Sequence, residues 1–290
     1  MAGTGKTTLI QRLNHFTSES CATAGSDGGA TAGLRAYYVN MDPAVADVPF
    51  AASIDIRDTV DYKGVMTQYR LGPNGSIMTA LNLFATKIHQ VIDIIERRRE
   101  ELDVVFVDTP GQIEVFTWSA SGQLITEAFA ACFPTCIIFV ADACRCANPQ
   151  TFMSTMLYAS SIMYKLQLPL LIAVNKTDVV KPTELFNWMR DPDSLSDAVR
   201  QQKGFAASLT ESLSLFVHEF YQGIRTVAVS AITGEGIPDL FAALEAAQEQ
   251  YATEFLPLLK ARVAANEKRE AAKQSKMIAR LEKDMAAAAV

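Results

Sequence analysis

Three runs of apolar residues in this chain each end in a polar cluster. The runs are Val104–Asp108, 136–142 and Leu170–Asn175, and a shorter one covers 226–230. Unbroken apolar strands separated by segments of helix length are typical of a parallel sheet covered by helices on both faces. Ligands of such sheets bind beyond the carboxyl ends of the strands, where each of these polar clusters lies. The pattern therefore predicts an α/β fold with a mostly parallel sheet and a ligand site at those ends.

Helices are predicted where apolar residues recur every three or four positions. This spacing holds over 77–95 and indicates one amphipathic helix there. The segment 44–76 has little regular periodicity, so we expect an irregular stretch of the kind that is often functional. A helical insertion is expected at about 181–222, between two strands. A terminal helix is expected at 238–259, with a break near Pro257.

Length and composition fit one large domain followed by a short tail. We assign the domain to 1–255 and a C-terminal helical tail to 256–290, and 49% of the 290 residues are hydrophobic, which is enough for a substantial core. The net charge of −6 gives no reason to expect direct binding to nucleic acid. No apolar run reaches the ~18 residues of a membrane helix. The five cysteines, an odd number in a long chain, suit a reducing compartment, and their spacing does not match the usual zinc patterns.

Residues 1–8, Met-Ala-Gly-Thr-Gly-Lys-Thr-Thr, contain the end of a phosphate-binding P-loop. The full motif is Gly, four residues and Gly-Lys-Ser/Thr, so we expect its first glycine and the N-terminal strand that should feed it to be missing from this sequence. Lys6 can reach the β- and γ-phosphates, and the Thr7 hydroxyl can bind Mg²⁺. A flexible Gly/Thr-rich tail is the alternative interpretation. The predicted phosphate-binding residues are Gly3, Thr4, Gly5, Lys6, Thr7 and Thr8.

A second candidate loop, Asp108-Thr109-Pro110-Gly111-Gln112, follows an apolar strand. Asp108 is placed to hold Mg²⁺, and the backbone N–H of Gly111 can contact the γ-phosphate, so the loop can sense whether that phosphate is present. Gln112 is a candidate for orienting the attacking water. A strand followed by an ordinary Pro-Gly turn is the alternative interpretation.

A third candidate loop, Asn175-Lys176-Thr177-Asp178, follows the next apolar strand. Asp178 can accept hydrogen bonds from guanine N1–H and from its exocyclic amine, a pair of donors that adenine lacks. Asn175 can brace the loop and touch the base, and the methylenes of Lys176 can cover the ring. Ala231, after the fourth strand, can offer its N–H to guanine O6. Together these residues predict a site for GTP.

These loops occur in the order expected of a GTPase, and longer motifs between them give a closer match. The chain resembles the GPN-loop GTPases, and among them the eukaryotic subfamily 1 proteins linked to RNA polymerase II. The resemblance runs from Met1 to about residue 255, more loosely to Asp284, and implies a P-loop NTPase fold. The motifs that carry it are Gly72-Pro73-Asn74, Asn40-Met41-Asp42-Pro43-Ala44-Val45, Asp55-Ile56-Arg57-Asp58, Asp108-Thr109-Pro110-Gly111-Gln112-Ile113-Glu114 and Phe116-Thr117-Trp118-Ser119-Ala120-Ser121-Gly122.

The resemblance implies a Mg²⁺-dependent GTPase that works as a homodimer or is paired with a paralogue. In the family, the Gly-Pro-Asn loop crosses the dimer interface. Carried over to this chain, Asn74 would stabilise the γ-phosphate and the attacking water of the partner. Asp42 resembles the family's acidic residue near that water. The catalytic candidates are therefore Lys6, Asp42, Asn74 and Gln112.

The implied output is assembly and nuclear import of RNA polymerase II, with that enzyme's subunits or assembly factors as partners. The resemblance also implies a cytoplasmic protein that shuttles to the nucleus and binds no membrane. Two other functions use the same loops. One is a nucleotide-dependent scaffold or chaperone adaptor without turnover, and the other is a metal-insertion GTPase of related fold. The last requires a His/Cys metal site, which the sequence does not suggest.

Overall fold

The fold is an arrangement of parallel strands with helices on both faces, as the apolar runs predict. The computed structural model describes residues 3–23, 33–200, 221, 223–265, 268–270 and 273. The strands are β1 (Ala36–Asn40), β2 (Ile54–Asp55), β3 (Val104–Asp108), β4 (Ile137–Asp142), β5 (Leu170–Asn175) and β6 (Arg225–Ala228). The helices are α1 (Lys6–Thr23), α2 (Ile56–Thr59), α3 (Tyr62–Tyr69), α4 (Pro73–Ala85), α5 (Ile88–Arg97), α6 (Ile113–Thr117), α7 (Ala120–Cys132), α8 (Ala143–Cys146), α9 (Pro149–Leu166), α10 (Thr183–Arg190), α11 (Pro192–Arg200) and α12 (Ile237–Gln250).

The strands form two parallel sheets, ordered β2-β1-β3 and β4-β5-β6. The register brings the polar strand ends together, because Asn40 lies opposite Asp108 in the first sheet and Asp142 lies opposite Asn175 in the second. Within the described residues, no ladder joins β3 to β4. Both sheets nevertheless contribute to one apolar cluster beneath α1 and α12, which contains Leu9, Tyr38, Phe106, Val140, Leu171 and Leu240 among others.

The opposite faces of the sheets are covered by two further apolar clusters. One packs β1 and β3 against α4, α5 and α7, with Leu81 and Phe84 almost fully buried. The other packs β4 and β5 against α9 to α11, where Phe152 and Trp188 meet edge to face with their ring centroids 5.4 Å apart. These cores fix the strands and so hold their polar ends in place.

The prediction of an irregular segment over 44–76 was wrong after residue 53, where β2, the start of α4 and two whole helices, α2 and α3, lie. Both helices are short and begin at aspartates that cap them. The Asp55 carboxylate accepts the N–H of Arg57, and the Asp61 carboxylate accepts that of Gly64. Caps of this kind satisfy N–H groups that a helix start leaves open. Hydrophobic periodicity is a poor guide to helices of four and eight residues.

The single helix predicted over 77–95 is two helices, α4 and α5, divided at Thr86 and Lys87. The Thr86 hydroxyl donates to the carbonyl of Leu83, and the Lys87 N–H donates to that of Phe84, so the chain makes a tight turn at the junction. The apolar face continues across the break, which is why the periodicity alone did not reveal it.

The terminal helix is α12, which passes into a turn of π-helix at Tyr251–Phe255 and continues as α-helix to residue 265. The wide turn lies just before Pro257, whose missing N–H and bulky ring disturb regular α-helix. In the predicted insertion, α10 and α11 are helical, while residues 201–220 and 222 lie outside the described residues. In the part of the chain that is described, no helix is both long and apolar enough to cross a membrane.

Candidate functional site

The phosphate loop at Gly3 to Thr8 turns with two glycines in the left-handed region. Gly3 has φ +78° and Gly5 has φ +86°, conformations that other residues adopt only with strain. A Cβ on Gly5 would lie 2.6 Å from Nδ2 of Asn175, so space as well as conformation requires glycine there. Helix α1 begins at Lys6, within this stretch, so its positive amino end faces the turn made by Gly3 and Gly5.

A pair of oxygens suited to Mg²⁺ lies where α1 meets the end of β3. The Thr7 hydroxyl donates to Oδ2 of Asp108 at 2.9 Å. Asp108 is 2% exposed, and its Oδ1 has no hydrogen-bond partner among the described residues. Burial raises the pKa of Asp108 to about 6, although the bond from Thr7 and the charge of Lys6 oppose the rise. A buried carboxylate with a free oxygen beside a hydroxyl fits a hard cation.

Lys6 lies among three carboxylates. Burial lowers the pKa of its ammonium, while Asp108, Asp42 and Glu114 act against that fall by favouring the charged form. An ammonium at the first residue of α1, close to the loop, suits the predicted contact with phosphate.

Asp42 binds the backbone of the second candidate loop. Its Oδ2 accepts the N–H of Gly111 at 3.0 Å, and its Oδ1 accepts the N–H of Ala44 at 3.0 Å. Asn40 holds the backbone of Asp42, because the side-chain oxygen of Asn40 accepts the N–H of Asp42. The Gly111 N–H that the sequence assigns to the γ-phosphate is thus held by a carboxylate in this structure.

Gln112 precedes α6, and its side-chain oxygen Oε1 is buried without a partner among the described residues. A buried amide oxygen normally has a hydrogen-bond partner. Gln112 is the last residue of the second candidate loop and directly follows Gly111, whose N–H is bound to Asp42. The two water-orienting candidates, Asp42 and Gln112, are therefore brought to the same loop, and their roles stay predictions.

Asn175 connects the phosphate loop to the two loops predicted to bind the base, which carry Asp178 and Ala231. Its Nδ2 donates to the carbonyl of Thr4 at 2.9 Å, and its Oδ1 accepts the N–H groups of Lys176 and Ala231 at 2.8 and 3.0 Å. Asn175 is 1% exposed, so all three bonds are shielded from water. Asn175 therefore joins these loops, and the Ala231 N–H is already paired with its side chain. The contact of Asn175 with the base stays a prediction.

Asp178 is exposed, and its Oδ1 accepts the hydroxyl of Ser230 at 2.7 Å. Ser230 is fully buried, so its hydroxyl fixes the direction in which the carboxylate points. The loop that carries Ala231 is held by Arg12 of α1, whose guanidinium donates to the carbonyls of Ala231 and Ile232. The structure thus brings the phosphate loop, Asp178 and Ala231 to one end of the sheets.

Asn74 is exposed near the start of α4, directly after Pro73, the first helical residue. Its amide has no hydrogen-bond partner among the described residues. The hydrogen bonds of Gly72 and Pro73 go to Ser76 and Tyr62. Within the part of the chain that the structure describes, no hydrogen bond joins 72–74 to the phosphate loop or to the loops of Asp108 and Asn175.

Sequence reasoning missed Ser230 and Arg12 as supporting residues, and it treated Asp142 only as the end of a strand. Nothing in the sequence pointed to Arg12, because its partners are backbone carbonyls that lie 219 and 220 positions away along the chain. Asp142 carried a weak one, since it ends a strand as Asn175 does and lies opposite it.

Comparison with known proteins identifies close relatives of the whole described core. Residues 1–250 match a family model described as a conserved hypothetical ATP binding protein. A GPN-loop GTPase from Arabidopsis thaliana is 52% identical over 87% of this chain and 63% of that protein. GPN-loop GTPase 1 of Schizosaccharomyces pombe is 41% identical over 98% of this chain and 77% of that protein. The chain spans 63% and 60% of the lengths of the Arabidopsis relative and of a Dictyostelium discoideum relative.

A solved structure has the same fold. The crystal structure of an apo-form GTPase from Pyrococcus abyssi matches with a TM-score of 0.68 at 26% identity, over 87% of this chain and 95% of that one. The fold is therefore that of a P-loop NTPase, as the sequence predicts. Apart from Gly72, Pro73 and Asn74, the predicted site residues lie at or beside the carboxyl ends of its strands, where ligands of this class of fold bind.

Proposed function

This chain belongs to the GPN-loop GTPase family, and from that premise we propose that it binds GTP with Mg²⁺ and hydrolyses it. The observation that carries the proposal is the joining of three loops by Asn175, which ties the phosphate loop at Thr4 to Ala231 and to the loop of Asp178. One buried amide thereby sets the distance between a phosphate-binding end and a base-binding end, as a nucleotide requires.

The base is proposed to be guanine because Asp178 offers a carboxylate in an oriented position. Guanine presents N1–H and an amine to such a group, whereas adenine would leave the charge unpaired. The description of the family model names an ATP-binding protein, whereas the relatives are named GTPases. The Asp178 carboxylate, oriented by Ser230, favours GTP over ATP as the nucleotide.

The residues that would hold Mg²⁺ are Thr7 and Asp108. A bound Mg²⁺ would neutralise charge on the phosphate oxygens. In this proposal, side chains of the protein bind the phosphates and orient the attacking water. Lys6 contacts the β- and γ-phosphates, while Asp42 and Gln112 orient the attacking water.

The hydrogen bond between Gly111 and Asp42 supports a proposed switch. The Gly111 N–H is bound to Asp42 at 3.0 Å, and the γ-phosphate would take the same N–H. Binding of GTP would then release the Asp42 carboxylate to face the water, and hydrolysis would let the loop return to it. Such an exchange of hydrogen bonds at the γ-phosphate is a common basis of GTPase switching.

We further propose a dimer, either of two copies or with a paralogue, in which Asn74 serves the partner's site. Its support is the exposure of Asn74 at the start of α4 without a partner among the described residues. By family resemblance, the dimer acts in assembly and nuclear import of RNA polymerase II, with its subunits or assembly factors as partners, and shuttles between cytoplasm and nucleus. Co-purification of the full chain with polymerase subunits, dependent on the bound nucleotide, tests that role.

The Asp108→Asn substitution is expected to abolish GTP hydrolysis while making the nucleotide-free protein more stable. The ionised carboxylate is buried at a cost that corresponds to a pKa raised from 3.8 to about 6. Each pKa unit is about 1.36 kcal/mol, so removing the charge stabilises by up to about 3 kcal/mol at neutral pH. Single-turnover hydrolysis at saturating Mg²⁺ and denaturant unfolding without nucleotide measure the two effects.

The pH dependence of unfolding gives the sign of this charge effect. A raised carboxyl pKa means that the folded state holds the proton more tightly, so this contribution to stability falls as pH rises from about 4 to about 6. The Asp108→Asn variant is expected to lose this decrease in stability with pH. Asp103→Asn, just before the amino end of β3, is expected to keep it because Asp108 is still present. If Asp108→Asn hydrolyses GTP at the wild-type rate, the assignment of this site is wrong. Nucleotide binding without any turnover in the wild-type chain would favour the scaffold function.

The Asp42→Ala substitution is expected to raise the affinity for a non-hydrolysable GTP analogue relative to GDP by roughly tenfold, and to slow hydrolysis. The Gly111 N–H no longer has to leave a charged acceptor, and such bonds contribute about 1.5–3 kcal/mol. Titration of both nucleotides measures the ratio. Asp42→Asn is the comparison variant, because its single amide oxygen can accept the N–H of either Gly111 or Ala44 but not both, so we expect a smaller change than in Asp42→Ala. An unchanged ratio in Asp42→Ala would refute the exchange of partners.

A further inference from the structure

Asp142, the last residue of β4, is a buried carboxylate that the proposed reaction does not use. It is 3% exposed. Its Oδ1 accepts the N–H groups of Cys144 and Arg145 at 2.9 and 3.3 Å, and its Oδ2 accepts Nζ of Lys176 at 2.7 Å. Burial disfavours its charge, but the bonds from Lys176 and from those N–H groups outweigh burial and lower its pKa. Asp142 is therefore ionised at neutral pH and paired with a cation.

The same ammonium reaches the phosphate loop. Nζ of Lys176 also donates to the carbonyl of Gly3 at 3.0 Å. At the other end of the side chain, the Lys176 backbone is held in the left-handed region, with φ +69°, and its N–H is bound to Asn175. The four methylenes of Lys176 therefore run between two fixed ends, one at the base loop and one at the junction of Asp142 with Gly3.

We propose that Asp142 is a positioning residue for the purine ring, acting through Lys176. A lysine stem has several rotatable bonds and loses much freedom when it is fixed. By holding the ammonium, Asp142 orders the stem before the nucleotide arrives, so the methylenes offer a preformed apolar surface to the ring face. The inference rests on the proposed guanine nucleotide site, and it adds a residue that determines how tightly the ring is held.

The two functions of Asp142 can be separated by substitution. The backbone bonds to Cys144 and Arg145 cap α8, and an asparagine oxygen can accept both of them. The Asp142→Asn variant therefore keeps the cap and removes the charge, which faces Lys176 at 2.7 Å and, more distantly, Nε of the exposed Arg145 at 3.7 Å. Asp103→Asn is a matched control, because Asp103 pairs with Arg35 at 3.1 Å at the amino end of β3, away from the site.

Release of GDP with a fluorescent label on its ribose, followed by stopped flow, measures the effect. We expect Asp142→Asn to release GDP roughly tenfold faster, because it loses a close pair of opposite charges, and Asp103→Asn to release it at the wild-type rate. The ratio of GDP to IDP affinities is expected to stay unchanged in Asp142→Asn. IDP lacks only the exocyclic amine, which is read by Asp178 and not by the ring face.

A double-mutant cycle with Lys176→Met tests whether Asp142 acts through the lysine. We expect the double variant to release GDP no faster than Lys176→Met alone. An effect equal to the product of the two single effects, or a wild-type release rate in Asp142→Asn, would overturn the inference. If the wild-type chain binds no labelled GDP at all, the proposed nucleotide site fails first and the inference fails with it.

Discussion

The Asp178→Asn substitution is expected to weaken GTP binding by roughly 10³- to 10⁴-fold and to transfer the preference to xanthosine triphosphate. Guanine donates through N1–H and its amine, and an asparagine can accept only one of the two. Xanthine carries an oxygen where guanine carries the amine. The Ser230 hydroxyl, which now donates to Oδ1 of Asp178 at 2.7 Å, would hold the asparagine oxygen and so turn its NH₂ group towards that xanthine oxygen.

Competition binding with GTP, XTP and ATP measures this exchange. Ser230→Ala is the matched control, because it frees the Asp178 carboxylate without changing its charge. We expect it to weaken GTP binding by about tenfold and to leave XTP binding weak. The assignment of Asp178 to the base would be wrong if Asp178→Asn kept its preference for GTP over XTP.

The Asn74→Ala substitution is expected to lower the turnover of GTP by roughly 10²-fold, with little change in the affinity for GDP. Removing one preorganised hydrogen-bond donor from developing negative charge has an effect of this size. GDP lacks the γ-phosphate that Asn74 is proposed to contact, so its binding does not report on this residue. The split between turnover and GDP affinity distinguishes a role in the reaction from a general loss of the site.

Asn82→Ala provides the matched control for this prediction. Asn82 is an asparagine of the same helix and is exposed, as Asn74 is. Its removal is expected to leave turnover unchanged. Equal turnover in Asn74→Ala and wild type would show that the loop at 72–74 does not act in hydrolysis.

The strands and their polar ends could be predicted from the sequence because a strand buried on both faces is a continuous apolar run. The runs that end at Asp108 and Asn175 are strands with those bounds in the structure. The order of the loops along the chain then placed Thr7 near Asp108 and Asn175 near the phosphate loop, and the observed hydrogen bonds agree with both placements.

The helices over 56–69 and the break after α4 could not be read from periodicity, because capping side chains and local turns decide them. The contacts of Asp42 with Gly111 and of Asp142 with Lys176 depend on how strands are ordered in the sheets, which apolar runs do not specify. The sequence suggested which residue types form the site, whereas their existing partners are visible only in three dimensions. One of those partners is the Asp42 carboxylate, which accepts the N–H of Gly111.

The central claim is a GTP site completed by a second chain, and heterodimers of two inactive variants test it most directly. One chain carries Lys6→Ala, the other carries Asn74→Ala, and two different tags isolate the mixed dimer. Such a dimer has one intact site, formed by the phosphate loop of the Asn74→Ala chain and by Asn74 of its partner. We predict about half of the wild-type turnover per dimer, since one of two equivalent sites works. Turnover no higher than the mean of the two variants alone would contradict the account.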